Sequence, residues 1–262
     1  MHKAKKSLGQ NFLKSEAALR AIIEAGEIKN TDTILEIGPG KGALTERLLE
    51  KAGKVLAVEK DQDLILFLQE KFSEEIKTKK LILIEGDILD IEIKENKYKV
   101  IANIPYNITG AILKKFLSGD SQPELMVLLV QKEVAERIVT RDGKESLLSI
   151  SVKAYGEPKY ITKVAARYFS PAPKVDSAVI KISNISKNIF TQGKVSEQVF
   201  WELVRAGFAH KRKKLIGNLK TNDKSTNWER IFEKTGIKID IRPEKVSVEE
   251  WVAICINKNI GN

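Results

Sequence analysis

The stretch Ile34-Leu-Glu-Ile-Gly-Pro-Gly-Lys-Gly-Ala-Leu-Thr45 constrains the fold more than any other part of the chain. An apolar run, Ile34 to Ile37, meets three alternating glycines, Gly38, Gly40 and Gly42, after which Leu44, Leu48 and Leu49 resume at helical spacing. This order predicts a strand, a tight turn and a helix. Glycine lets the backbone turn sharply and pass close to a ligand with no Cβ in the way. The new helix presents N–H groups that have no partner within it. A nucleoside-bearing ligand is the natural occupant of such a turn.

The alternation continues downstream. Val55-Leu-Ala-Val-Glu59, Leu81-Ile-Leu-Ile-Glu85, Tyr98-Lys-Val-Ile-Ala-Asn103 and Leu125-Met-Val-Leu-Leu-Val130 read as strands. Helices are expected from Ala43 to about Lys51, Asp61 to about Phe72, Thr109 to about Leu117 and Gln131 to Val139. Strands and helices in this order predict a doubly wound α/β domain with a mainly parallel sheet. Upstream, Leu8-Gly-Gln-Asn-Phe-Leu13 reads as a loop pinned to the body with the amides of Gln10 and Asn11 turned inward, and Ser15 caps a helix through Ala25. Downstream, Leu147 to Tyr155 is expected to be helical, with strand candidates at Tyr160–Val164 and Ser177–Ile182.

From about Ser183 the texture changes to polar turns and capped amphipathic helices, with capping boxes at Thr226-Asn-Trp-Glu229 and Ser247-Val-Glu-Glu250. The expected organisation is an α/β domain with an N-terminal arm over 1–183 and a small all-helical domain over 184–262. Between Glu202 and Asp223 no acidic residue occurs, and Arg205, Lys211, Arg212, Lys213 and Lys214 concentrate positive charge there. The whole chain carries 45 Lys plus Arg against 35 Asp plus Glu, a formal charge of +10. Such a patch suits phosphate contacts on nucleic acid, the alternative being a solvated face.

Composition narrows the chemistry. The chain of 262 residues, 42% hydrophobic, can bury one substantial core, and no apolar run reaches membrane-spanning length. With no apolar signal segment after the first residues, a cytoplasmic location is expected. His2, His210 and Cys255 are the only histidines and the only cysteine. A histidine metal centre or a Cys–His nucleophile is therefore disfavoured, no metal is expected, and Cys255 in its apolar run reads as packing.

In a parallel sheet the strand ends bring Gly38, Glu59, Asp87 and Asn103 to one crevice. Glu59 stands 21 residues after Gly38, where nucleotide folds place an acid on ribose hydroxyls. Asp87 suits an adenine amine, with Ile88 packing on the ring. Adenosine is common to NAD and S-adenosylmethionine, and two features separate them. The glycine spacing is not Gly-x-Gly-x-x-Gly, and Glu36 would be unfavourable beside a pyrophosphate but tolerable beside a sulfonium and an ammonium. S-adenosylmethionine is favoured.

Asn103-Ile-Pro-Tyr106 points to the acceptor. The Asn103 side chain and the Pro105 carbonyl could accept both hydrogens of an adenine N6, and Tyr106 could stack on the base. Positioning would then supply much of the rate. Access to N6 needs an unpaired or flipped-out nucleotide. Phe169, beside Pro171 and Pro173, reads either as core packing or as an aromatic held at the pocket rim to clamp that base.

Taken together, Leu8–Leu13, Glu36–Gly42, Val58-Glu59, Gly86-Asp87, Asn103–Tyr106, Gln131–Val134, Phe169–Val179 and the basic Phe208–Leu219 segment resemble the small-subunit ribosomal RNA adenine dimethyltransferases, from about residue 8 to 256. The resemblance implies a Rossmann-like class I methyltransferase with a helical C-terminal domain. It implies transfer of methyl groups from S-adenosylmethionine to N6 of two adjacent adenosines near the 3′ end of 16S RNA, within a pre-30S or 30S particle, by a monomer. By motif it places Gln10, Asn11, Leu13, Gly38, Gly40, Glu59, Lys60, Asp87, Ile88 and Asn103 at the cofactor. Asn103, Pro105, Tyr106 and Phe169 are placed at the target base, and the basic segment at RNA. Where the family commonly has Tyr-Gly, this chain has Glu145-Ser146. The competing expectations are a large-subunit (23S) RNA dimethyltransferase of the antibiotic-resistance type, a non-catalytic nucleic-acid-binding factor of the same fold, and a dehydrogenase.

Overall fold

Strands alternate with helices along the chain, as seen in a computed structural model that describes residues 4, 5, 8–210 and 212–260, the side chains of 259 and 260 excepted. The elements begin with β1 (Phe12–Leu13), α1 (Glu16–Ala25), β2 (Thr33–Ile37), α2 (Ala43–Lys51), β3 (Lys54–Glu59), α3 (Gln62–Lys71), α4 (Ser73–Lys77), β4 (Leu81–Glu85), β5 (Lys99–Asn103), α5 (Thr109–Ser118) and β6 (Leu125–Gln131). They continue with α6 (Lys132–Ile138), α7 (Leu147–Lys153), β7 (Glu157–Val164), β8 (Phe169–Ser170), β9 (Ser177–Ser183), α8 (Asn188–Gly193), α9 (Glu197–Gly207), α10 (Leu215–Asn222), α11 (Trp228–Thr235) and α12 (Val248–Ile260).

Two compact units result, Met1–Ala135 with Glu157–Ile185, and Glu136–Gly156 with Ser186–Asn262. The linear boundary expected at 183/184 therefore misses one segment, because Glu136–Gly156 groups with the C-terminal helices. The reason is visible in its contacts. The Glu145 N–H donates to the Glu244 carbonyl at 2.8 Å, and the ring of Tyr155 stacks on Trp201 with centroids 6.2 Å apart.

In the first unit a seven-stranded sheet runs β4-β3-β2-β5-β6-β9-β7. Its first five strands are parallel, β9 runs antiparallel to β6, and β7 runs antiparallel to β9. The buried stretches of β2, β3, β5 and β6 are continuous rather than alternating, as strands covered on both faces require. From β2 the chain moves outward to β3 and β4, then returns to β5 on the other side. The crevice opens at this reversal, beyond the carboxyl ends of β2 and β5. A second, two-stranded sheet pairs β1 with β8, Leu13 opposite Phe169. Local sequence places the helix starts. The Ser15 hydroxyl accepts the Ala18 N–H at 3.2 Å, and the Asp61 carboxylate accepts that of Asp63 at 3.2 Å.

The second unit is helical around buried Phe200, Trp228, Phe232 and Trp251. The Ser247–Glu250 capping box forms with both reciprocal bonds, at 3.2 and 2.7 Å. The other box shifts by one residue. Asn227 caps α11 through the Arg230 N–H at 3.1 Å, while Thr226 turns back to Asp223 at 2.7 Å. An amide is as good a cap as a hydroxyl, so the two compete. Ser146 caps α7 in a box with Ser149, so the departure at Glu145-Ser146 starts a helix, and Glu145 pairs with Lys153 at 2.6 Å. Cys255 is buried, and burial pushes its thiol up to about 12.

Gly42 shows why the glycine turn tolerates little change. It has φ +78°, and a Cβ there would lie 2.5 Å from the Phe72 ring. Gly42→Ala combines left-handed strain with a clash in packed core, and should lower unfolding free energy by about 2 kcal/mol or more, read from urea midpoints at constant m.

Candidate active site

The end of β3 assembles the crevice. Glu59 is 6% exposed, and its carboxylate accepts three backbone N–H groups: Gly40 at 3.1 Å, Lys60 at 2.9 Å and Asp61 at 2.9 Å. Gly38 donates to the Val58 carbonyl at 2.9 Å, so the glycine turn is stitched to β3 twice. Burial raises the Glu59 carboxyl above its ordinary value despite the three donors. A carboxylate has about four acceptor sites, which leaves capacity for a ligand hydroxyl.

A cavity of about 490 Å³ is lined by the glycine turn, the ends of β3 and β5, and the segments Leu8–Lys14 and Gly86–Ile88. This volume is within the range of small-molecule sites. Gly38 forms part of the wall, and a Cβ built on it would have only Pro105, at 3.9 Å, within contact range, so the glycine keeps that space for a ligand. Asp87 receives Leu89 N–H at 2.9 Å on one oxygen and Lys60 Nζ at 2.8 Å on the other, and Lys60 holds it below its ordinary range. Ile88 lies buried beside it on the wall.

The N-terminal segment closes one side. Gln10 Nε2 donates to Asp61 Oδ2 at 2.7 Å, Lys5 Nζ donates to Asp61 Oδ1 at 2.6 Å, and the Lys5 N–H donates to Gln10 Oε1 at 2.7 Å. Burial alone would raise the Asp61 carboxyl, but Lys5 and Gln10 hold it low. Asn11 donates its amide to the Gly9 carbonyl at 3.1 Å and offers its own carbonyl to Asn103 Nδ2 at 3.1 Å. With its NH₂ committed there, Asn103 keeps Oδ1 as its acceptor end.

Beyond Asn103, the Pro105 carbonyl accepts the Ile108 N–H at 3.2 Å, using one of its two lone pairs. The Tyr106 hydroxyl meets Ser177 Oγ at 2.5 Å, and burial pushes the phenol up. This pair fixes the half-buried ring on the cavity wall. Phe169 is 4% exposed and packs in the core cluster that includes Leu13, Leu19 and Val164, one residue from Ser170 on the cavity wall. Successive strand residues face opposite ways, so Ser170 meets the cavity and Phe169 points inward. In the second unit, Arg205, Arg212, Lys213 and Lys214 are exposed, while Lys211 lies outside the described residues.

Three residues of this site carried no signal as isolated letters. Ser177 and Lys5 act through partners distant in sequence, and Asp61 holds Lys5 and Gln10 besides capping the nearby Asp63 N–H. The Asp61 position after Glu59, at the start of a predicted helix, was the available hint. Among the described residues, no cluster of His, Cys, Asp or Glu is arranged to hold a metal ion, and no helix is long and apolar enough to cross a membrane.

Glu36 is the most perturbed group of the crevice. It is 1% exposed, accepts the Thr45 hydroxyl at 2.7 Å, and burial, with Glu59 nearby, raises it from 4.5 to about 8. The folded protein thus holds a proton that the unfolded chain releases. Stability from this group is full below about pH 4.5 and is lost as pH rises through about 8. Glu36→Gln should therefore raise the unfolding temperature more at pH 8 than at pH 5, and equal shifts at both would contradict the assignment.

Known proteins resemble this chain over nearly its whole length. The family model described as ribosomal RNA adenine dimethylase matches residues 1–259. A ribosomal RNA small subunit methyltransferase A of Dehalococcoides mccartyi is 41% identical, covering 97% of this chain and 88% of the relative. Its namesake from Fusobacterium nucleatum is 37% identical over 96% of both. A dimethyladenosine transferase from Plasmodium falciparum superposes with TM-score 0.81 at 27% identity, covering 95% of this chain and 98% of that one. The 23S rRNA methyltransferase ErmE shares the fold, with TM-score 0.75 at 24% identity over 95% of this chain and all of that one. The chain belongs to the ribosomal RNA adenine dimethylase family.

Proposed function

We propose that this enzyme transfers methyl groups from S-adenosylmethionine to N6 of two adjacent adenosines near the 3′ end of small-subunit (16S) ribosomal RNA, giving N6,N6-dimethyladenosine during small-subunit biogenesis. The observation that carries this reading is the placement of Asn103. Its amide is oriented by Asn11, and it stands on the same cavity wall as Gly38 and Glu59, where a cofactor half and an acceptor base can meet. The curated relatives, 37–43% identical, carry the small-subunit name, which favours that RNA over the large-subunit alternative.

When bound, S-adenosylmethionine supplies an electrophilic methyl group on a sulfonium. Glu59 would hold a ribose hydroxyl through its remaining acceptor site, and Gly38 would admit the methionine portion. Asp87 and Ile88 receive the adenine, Asp87 with Lys60 beside it. Leu13, Asn11 and Gln10 cover the cofactor from the N-terminal side. On the acceptor side, Asn103 Oδ1 and the second lone pair of the Pro105 carbonyl take the N6 hydrogens, which disfavours conjugation of the nitrogen lone pair with the ring. Tyr106, held by Ser177, stacks on the base and fixes its approach. The α/β unit carries the chemistry. Arg205, Arg212, Lys213 and Lys214 of the helical unit, with Lys211, neutralise RNA phosphates. The protein acts in the cytoplasm as a monomer on a pre-30S or 30S particle.

Asn103→Ala should lower kcat for methyl transfer to unmethylated small subunits about a hundred-fold, with particle binding retained, as loss of a preorganised polar contact to the reacting group does elsewhere. In the same assay, replacing Arg212, Lys213 and Lys214 together with Ala should act mainly on KM for the particle and flatten its salt dependence. Full activity in the Asn103 variant would remove the basis of the proposal.

A further inference from the structure

One aromatic beside the cavity has no role in the chemistry above. Tyr168 ends a short 3-10 turn, Ala166–Tyr168, and stays 40% exposed, whereas its neighbour Phe169 is buried. Its backbone carbonyl accepts the Lys14 N–H at 2.8 Å. Lys14 lines the cavity, as does Ser170, two residues beyond Tyr168. The backbone of Tyr168 is thus hydrogen-bonded directly to one residue of the cavity wall and lies two residues from another. Arg167 lays its guanidinium over the ring, 5.2 Å from the centroid.

The surroundings are basic and open. Lys14, Arg167 and Lys174 are exposed, and Val175 is 46% exposed. The nearby acid, Asp176, is already engaged: its Oδ1 accepts the Ala166 N–H at 3.0 Å, and its Oδ2 pairs with Lys163 at 2.8 Å. Those bonds also close the base of the loop that carries Tyr168, so the ring is presented from a braced segment. An exposed aromatic with a stacked guanidinium and flanking lysines matches a single-stranded nucleic-acid platform, where rings cover base faces and cations neutralise phosphates. A base drawn into the cavity leaves its neighbour in the strand with an uncovered face.

We infer that Tyr168, with Arg167 and Lys14, forms a stacking subsite for the unpaired RNA nucleotide next to the target adenosine. The inference rests on the proposed RNA acceptor and adds where the flanking nucleotide lies. Tyr168 supplies the apolar face, Arg167 backs the ring from the side opposite the base, and Lys14 meets the connecting phosphate at the cavity mouth. The subsite holds the strand so that one base at a time enters beside Asn103.

The test is steady-state methylation of unmethylated small subunits by wild type, Tyr168→Ala, Tyr168→Phe and Lys14→Gln, with cofactor Kd measured directly for each. Loss of one base stack predicts a KM for particles raised roughly ten-fold in Tyr168→Ala, with kcat and cofactor Kd near wild type. Tyr168→Phe should restore KM, because stacking needs the ring and not the hydroxyl. Lys14→Gln should flatten the salt dependence of KM by about one phosphate contact. A wild-type KM in Tyr168→Ala, failure of Phe to restore it, or a defect confined to cofactor Kd would overturn the subsite, as would a Tyr168→Ala defect that vanishes on protein-free RNA. If wild type methylates a different RNA, the acceptor reading fails, and the same variants on that RNA still decide the subsite.

Discussion

The buried carboxylate of Glu59 gathers three backbone N–H groups, one from the glycine turn and two from the start of the loop into α3. Taking that group out of water is costly unless donors replace the lost hydration, and the donors can converge only if the turn folds back across the end of β3. Glycine is required at that turn because the backbone is left-handed at Gly38, Gly40 and Gly42. The same loop then supplies Asp61, which captures Lys5 and Gln10 and draws the N-terminal segment over the cavity. One carboxylate thus couples the floor of the site to its side wall, and Asn11 extends the connection to Asn103.

The electrostatics follow from that construction. Glu36 and Glu59 are both buried on the cavity wall, and of the neighbouring cations Lys60 is committed to Asp87 while Lys41 lies over the Phe12 ring at 5.0 Å. With those two cations engaged elsewhere, neither is left to pair with a pyrophosphate at this wall, while burial keeps Glu36 itself protonated up to about pH 8. S-adenosylmethionine carries a sulfonium and an ammonium beside its adenosine, whereas a dinucleotide brings two negative phosphates. The glycine turn alone is common to both ligands, and it is the acid-lined wall, with Lys41 and Lys60 engaged elsewhere, that separates them.

Much of this was legible in the letters. Apolar runs of five to seven residues closed by Gly, Glu, Asn or Gln marked β2 to β6, and their alternation with amphipathic segments required a parallel sheet whose reversal point locates the crevice. Gly38, Glu59, Asp87 and Asn103 all reach it because strand ends in such a sheet share one edge. What remained hidden depends on contacts across long separations. Neither the Tyr106–Ser177 pair nor the hold of Lys5 on Asp61 leaves a local pattern. Phe169 was ambiguous because its side is set by pairing with Leu13, and a two-residue strand has no periodicity to read. The grouping of 136–156 with the C-terminal helices was hidden for the same reason, since nothing within that segment names its partners.

The account stands on one chemical identity, an adenine N6 as the methyl acceptor in small-subunit RNA. The most direct measurement is nucleoside mapping by mass spectrometry of ribosomal RNA recovered after purified enzyme and isotopically labelled S-adenosylmethionine have acted on unmethylated subunits of both sizes. The account predicts labelled N6,N6-dimethyladenosine at two adjacent positions near the 3′ end of the small-subunit RNA and none in the large. Label confined to large-subunit RNA, or found on any atom other than adenine N6, would contradict it.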